Sequence, residues 1–224
     1  MNLELKKRII TSTILFVAVI FCISINVSVF AIATLVITYI CFDEWCSINY
    51  KYFSHRSGDY FLIKILGFFY SFFIFAYTAF LLRGDSFKSI IFFIIVLCVC
   101  ICSDIGGYIF GKTIGGKKLT KISPNKTITG SIGSFIFSIL PILLFNFQNY
   151  IIVSFDVSLK NILLCLIISL VCQLGDLFIS YFKRINKVKD TGTILPGHGG
   201  LLDRIDGIIF AIPAVYILNV SQIF

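Results

Sequence analysis

Apolar residues run along this chain in long blocks, without the two-residue alternation of half-buried strands. Most blocks approach the length of about 20 residues that a helix needs to cross a bilayer. Ile9–Phe42 carries no charge and is long enough for two short helices, with a break near Ser24–Ser28. The segment DEWCSINYKYFSHRSGDY that follows reads as a polar linker. Phe61–Leu82 is a third span, with Lys64 close enough to its start to snorkel. Ser89–Phe110 is a fourth, with Asp104, Gly106 and Gly107 in its second half. Ser131–Phe147 is a fifth, with a kink expected at Pro141. A loop over Gln148–Lys160 leads to a sixth, Asn161–Ser180, which contains Asp176. Gly207–Phe224, interrupted by Pro213, closes the series. The pattern predicts an all-α, polytopic membrane helix bundle of about seven transmembrane helices.

Composition supports this class: 58% of the residues are hydrophobic, against about 45–50% in a soluble domain. The net charge of +8 forms no block of the kind a nucleic-acid binder carries, so no nucleic-acid partner is expected. It is sorted by loop instead. Lys6, Lys7 and Arg8 precede the first span, and Lys51 and Arg56 follow the second. Lys112, Lys117, Lys118, Lys121 and Lys126 follow the fourth; Lys183, Arg184, Lys187, Lys189 and Arg204 follow the sixth. Only Arg83, Lys88 and Lys160 fall on the other side. Positive-inside bias then places the N-terminus and both long polar loops in the cytoplasm. The N-terminal run is too long for a secretory signal and reads as an uncleaved helix. The eight cysteines lie in or beside apolar runs without a C-x-x-C pair and are expected to be free, buried thiols.

The candidate chemistry lies in two stretches. The first, Ser180–Asp206, is SYFKRINKVKDTGTILPGHGGLLDRID. Just before it, Asp176 interrupts an apolar run, and an intramembrane carboxylate is a functional candidate by default. Asp176, Ser180 and Lys183, four and three residues apart, share a helix face. The plainer alternative is an aspartate paired with Lys183 for structure alone. Asp203 and Asp206, three apart, share a face if helical; with Asp176 nearby they suit a hard divalent cation. One of them could instead be a helix N-cap. PGHGG is a tight turn whose amides could form an anion nest. His198 could touch phosphate, move a proton, or hold the turn by a hydrogen bond. Lys183, Arg184, Lys187 and Lys189 are phosphate candidates or plain topology markers. The second stretch runs from Asp104 to Gly130, where two glycines after an intramembrane aspartate imply close helix packing or a cavity. Lys126 lies in the polar turn SPNKT that leads into span five.

Together these residues resemble the signature of the phosphatidate cytidylyltransferase (CDP-diacylglycerol synthase) family. Ser180, the Lys183-Arg184 pair, the Lys189-Asp190 pair, PGHGG and D-R-x-D from Asp203 to Asp206 stand at that signature's spacings. SDIGGYIFG and ISPNKT are similar to its upstream part, with Gly107 before Tyr108 and Thr129 where the family usually has an acid. The resemblance covers Asp104–Gly207, which puts the catalytic domain in residues 89–224. Residues 1–88 are then scaffold helices for dimer or lipid contacts.

The resemblance implies transfer of a cytidylyl group from CTP to phosphatidate, giving CDP-diacylglycerol and pyrophosphate. It implies catalytic roles for Asp176, Ser180, Lys183, Asp203 and Asp206, with Mg2+ (and room for a second cation) on Asp176, Asp203 and Asp206. Asp104, Lys126, Arg184, Lys189, His198 and Arg204 are the matching candidates for substrate binding. Membrane lipid, and a second copy of the chain, are the expected partners; the inner membrane of a bacterium is the expected place. A related lipid-phosphate nucleotidyltransferase with another acceptor, and a cation or metabolite transporter lined by Asp104 and Asp176, are the alternatives.

Overall fold

A computed structural model describes residues 3–53, 57–147 and 157–221. Arg56 and most of the expected loop at 148–160 lie outside the described residues. Within the described residues ten α-helices follow one another: α1 Leu3–Ser24, α2 Val27–Phe53, α3 Ser57–Phe68, α4 Tyr77–Arg83, α5 Phe87–Thr113, α6 Ile128–Ser138, α7 Leu140–Phe147, α8 Leu159–Ile185, α9 Leu202–Ile205 and α10 Ile208–Val220. A π-helical stretch, Phe69–Ala76, joins α3 to α4. Among the described residues there is no strand, only two isolated bridges, Lys118–Thr127 and Leu195–Gly199. The eight cysteines are free thiols.

Among the described residues five helical stretches are long and apolar enough to cross a membrane: Val27–Tyr50, Gly58–Arg83, Phe87–Thr113, Ile128–Phe145 and Leu159–Ile185. The first and last of the seven expected spans are shorter apolar helices, Ile10–Ser24 and Ile208–Val220. The break expected at Ser24–Ser28 falls between α1 and α2, where Asn26 Oδ1 accepts the Val29 amide at 2.8 Å. The kink expected at Pro141 is the junction of α6 and α7. One expectation fails. The segment read as a polar linker from Asp43 stays helical to Phe53. Cys41, Glu44, Ile48 and Asn49 are all buried there, so the inward stripe of α2 runs through the charges without interruption.

The chain forms two compact units. The first holds residues 1–85 with Phe182–Asp206; the second holds Ser86–Tyr181 with Gly207–Phe224. The loop 182–206, which the sequence groups with 89–224, therefore packs with the N-terminal helices.

In the first unit α1 is tied near its middle and at its end. Thr11 Oγ1 donates to the Pro196 carbonyl at 3.3 Å. At its end the Ile23 carbonyl accepts Arg83 Nε at 3.1 Å and Nη2 at 2.7 Å. Arg83 is buried, with its guanidinium 5.8 Å from the Phe30 ring centre. It satisfies a helix-end carbonyl that has no partner within its own helix. Aromatic side chains fill the space beside α2: Phe42 meets Phe68 and Phe72 edge-on at 5.6 and 6.0 Å.

The second unit is built on contact between α5 and α6. Gly106 and Gly133 face each other so closely that a Cβ on either would strike the other's carbonyl and a phenylalanine, Phe137 or Phe110. Such small-residue faces let membrane helices approach. Polar side chains then join α8 to this pair. Ser103 and Ser169 Oγ lie 2.7 Å apart, Ser131 donates to Gln173 Oε1 at 2.5 Å, and Gln173 Nε2 donates to Ser169 at 3.2 Å. In hydrocarbon, buried hydroxyls and amides must find partners within the protein.

Candidate active site

The second unit holds a carboxylate cluster. Asp104 lies in the half of α5 that follows its apolar core, and Asp176 lies in α8. Lys126 is placed by the loop between α5 and α6, which folds back on itself. The Leu119 amide donates to the Lys126 carbonyl at 2.8 Å, and the Ile128 amide to the Lys117 carbonyl at 3.0 Å. Thr127 caps α6, its hydroxyl accepting the Gly130 amide at 3.0 Å. Lys126 Nζ forms an ion pair with Asp176 Oδ2. Ser180, one turn on, donates to Asp176 Oδ1 at 3.2 Å. Asp104 feels the charges of both Asp176 and Lys126. Two carboxylates with a lysine and a hydroxyl on them, Asp104 exposed and the Asp176 side chain 28% exposed, can hold cations and steer a phosphate. Thr129, in the place of an expected acid, bonds the Thr127 hydroxyl and the Gly115 carbonyl and so closes the loop.

The first unit holds a second cluster, made by the segment after α8. That helix ends in a paired cap: the Val188 amide donates to the Lys183 carbonyl at 3.0 Å and the Lys187 amide to the Arg184 carbonyl at 3.1 Å. The cap requires a left-handed residue, and Lys187 supplies it with φ +54° where glycine is usual. Asp203, on the short α9, gathers the returning chain. Its Oδ1 accepts Lys183 Nζ at 2.8 Å; its Oδ2 accepts the amides of Thr191 at 2.7 Å and Gly200 at 3.0 Å. Burial opposes ionisation of this carboxyl, but Lys183 and the two amides outweigh it and hold the group below its ordinary range.

PGHGG forms a turn closed by Leu195 N–H to Gly199 carbonyl at 2.9 Å, with Gly197 and Gly199 at φ +79° and +85°. The anion-nest reading is corrected in part. The His198 amide donates to Leu195 and the Gly200 amide to Asp203, so both serve the turn. His198 Nε2 lies 3.2 Å from Ser12 Oγ, and its carbonyl accepts Arg204 at 2.6 Å. Ring and backbone both hold the turn. Arg184 and Lys189 are exposed, as topology markers or phosphate contacts would be. Asp206 ends α9 and is half-buried.

Lys183 thus pairs with Asp203, not with Asp176, whose partner is Lys126. One residue escapes the sequence reading altogether. Glu44 of α2 accepts the Leu201 and Leu202 amides, each at 2.9 Å, and the Thr191 hydroxyl at 2.8 Å. The signal that could have found it is the helical spacing of Cys41, Glu44 and Ile48, visible only once α2 is continued through its charges.

Comparison with known proteins agrees with the geometry. The family model described as the cytidylyltransferase family matches residues 51–221. A phosphatidate cytidylyltransferase of Staphylococcus haemolyticus is 44% identical over 143 residues, 62% of this chain and 52% of the relative. One from Staphylococcus aureus strain COL is 47% identical over 123 residues, 54% of this chain and 45% of the relative. The chain spans about half the length of the curated relatives it matches. The family match runs from the end of α2 to the end of α10 and takes in both clusters, so the chain belongs to the cytidylyltransferase family.

Proposed function

We propose that this membrane protein transfers the cytidylyl group of CTP to phosphatidate, giving CDP-diacylglycerol and pyrophosphate for phospholipid synthesis. The observation that carries this reading is the grouping of Asp104, Lys126, Asp176 and Ser180 in a chain whose relatives are named phosphatidate cytidylyltransferases. A phosphatidate oxygen attacks the α-phosphorus of CTP while the bond to pyrophosphate breaks. The nucleophile is already an anion and needs no strong base. The barrier is the meeting of two polyanions, which positioned cations lower. Lys126 and Lys183, each set against a carboxylate, are suited to that work, and Arg184, Lys189 and Arg204 are further candidates for phosphate contact. Ser180 holds the Asp176 carboxylate in place.

Asp176, Asp203 and Asp206 offer oxygen donors only, the ligand chemistry of a hard divalent cation. They are the residues proposed to hold Mg2+, which would neutralise phosphate charge there. Asp203 brings little spare capacity, since three donors already occupy it. Purified protein is expected to move label from CTP into lipid when given phosphatidate, and to stop on addition of EDTA. No lipid label with phosphatidate sinks the reading; label only with an isoprenoid-ether phosphate changes the acceptor.

The site is proposed to face the cytoplasm from a bacterial inner membrane. The support is positional: two crossing helices separate Lys51 from Lys112, and two more separate Lys126 from Lys183, so the basic segments share a side. With α1 and α10 also crossing, the C-terminus lies opposite. A periplasm-active reporter fused after Phe224 is expected to be active, and activity of a cytoplasmic one there excludes the arrangement.

A further inference from the structure

Glu44 lies outside the family match, which starts at residue 51, and outside every stretch that carried candidate chemistry. It is nonetheless 3% exposed, on a helix long and apolar enough to cross the membrane. A carboxylate in such a place is costly and calls for a reason. Its surroundings give one. Oε1 takes the Leu201 amide; Oε2 takes the Leu202 amide and the Thr191 hydroxyl. All three partners are donors, and they come from both ends of the segment that contains the PGHGG turn.

The glycines of that segment fit the same carboxylate. A Cβ on Gly192 would come within 2.6 Å of Glu44 Oε1. One on Gly200 would collide with Glu44 Oε2 and with the Thr191 hydroxyl. Beside Glu44, Trp45 stacks at a tilt on Phe182 with ring centres 4.7 Å apart. One turn on, Asn49 Oδ1 accepts Asn186 Nδ2 at 3.3 Å. This face of α2 is a template for the loop, and Glu44 is the part that binds its backbone.

Leu201 and Leu202 immediately precede Asp203, and Thr191 donates its amide to Asp203 while its hydroxyl binds Glu44. Asp203 and Glu44 therefore hold the same two chain segments. We infer that Glu44 is a positioning residue: it fixes the Thr191 and Leu201–Leu202 backbone and, through them, the place of Asp203 and the PGHGG turn. It acts through the loop, to which both its oxygens are bonded. The link to catalysis rests on the proposed cytidylyl transfer; the link to loop order does not.

A carboxylate is the side chain that accepts at both ends; glutamine of the same size must turn an N–H toward one of the donors. The test is Glu44→Gln in the full chain in lipid nanodiscs, read by hydrogen exchange and by CTP transfer. Exchange in peptides covering 200–203 is expected to quicken about tenfold, while peptides covering 130–137 stay at wild type. Turnover at saturating substrates is expected to fall about 10- to 100-fold, with KM for phosphatidate within about threefold of wild type. Thr191→Val removes one donor and should quicken exchange to a smaller degree; Thr191→Ser keeps the hydroxyl and should leave exchange at wild type. Wild-type exchange in Glu44→Gln overturns the inference whatever the activity. Faster exchange with undiminished turnover overturns the positioning role. A wild-type chain that transfers no CTP overturns the proposed reaction, and exchange still decides whether Glu44 holds the loop.

Discussion

Asp203→Ala is expected to abolish cytidylyl transfer, by about 1000-fold or more, and to destabilise the protein as well. The geometry says why both should happen. Asp203 joins three donors: Lys183, and the amides of Thr191 and Gly200. With its partner gone, the buried Lys183 ammonium keeps its desolvation cost and loses its attraction, a loss of about 3–5 kcal/mol for buried pairs. Because the folded carboxyl titrates below its ordinary value, its contribution is complete above the unfolded pKa of about 3.9. It is lost only as pH falls through the lower, folded value. The wild-type advantage over Asp203→Ala should therefore be flat through neutral pH and shrink in acid. Lys183→Met with Asp203→Asn separates fold from chemistry. Asparagine keeps an oxygen for the two amides, and methionine removes the orphaned charge. That double variant should recover most of the thermal stability and none of the transfer. Recovery of transfer would show that Asp203 and Lys183 are a strut and nothing more.

Lys126→Ala should give the opposite balance. Its ion pair with Asp176 is about a quarter exposed on both sides. Pairs of that kind contribute about 1 kcal/mol or less to stability, so Tm should hardly move. Activity should fall by about 100-fold or more, because Asp104 and Asp176 are left to face an incoming polyanion without their shared cation. Lys126→Arg should restore part of it, since a guanidinium keeps the charge and changes the geometry of contact. Parallel loss of Tm and activity in Lys126→Ala would mean that Lys126 serves the loop between α5 and α6 instead of the reaction.

The two variants show how function is divided along the chain. The α5–α6 loop delivers a lysine to an intramembrane aspartate by folding on its own backbone. The segment after α8 organises itself on one aspartate of its own and on a glutamate that lies far earlier in the sequence. Neither cluster depends on a long polar domain, which suits a chain with so little polar sequence.

By itself the sequence determined the class of the protein, most of its helices and the residues of its signature. These are local properties. A bilayer tests each block of residues for apolar length, and a helix puts residues three and four apart on one face, so Asp176 and Ser180 could be paired in advance. Gly106 and Gly107 announced close packing in the same way, because a missing side chain is legible wherever it stands. Only the tertiary structure decided the partners. The spacing that allows Lys183 to face Asp176 cannot show that Asp203, 20 residues on, reaches it. Thr191 and Leu202 bind Glu44 across 147 and 158 residues, a separation at which local period carries no information. The polar letters after Phe42 look like a linker because hydropathy counts charge and does not see what the charge is bonded to. The PGHGG histidine changed most: conspicuous as a lone titratable group, it proves to be set against Ser12 of α1, with a carbonyl held by Arg204. Burial and pairing are properties of the assembled chain, and they turned a linker glutamate into the clamp of the loop.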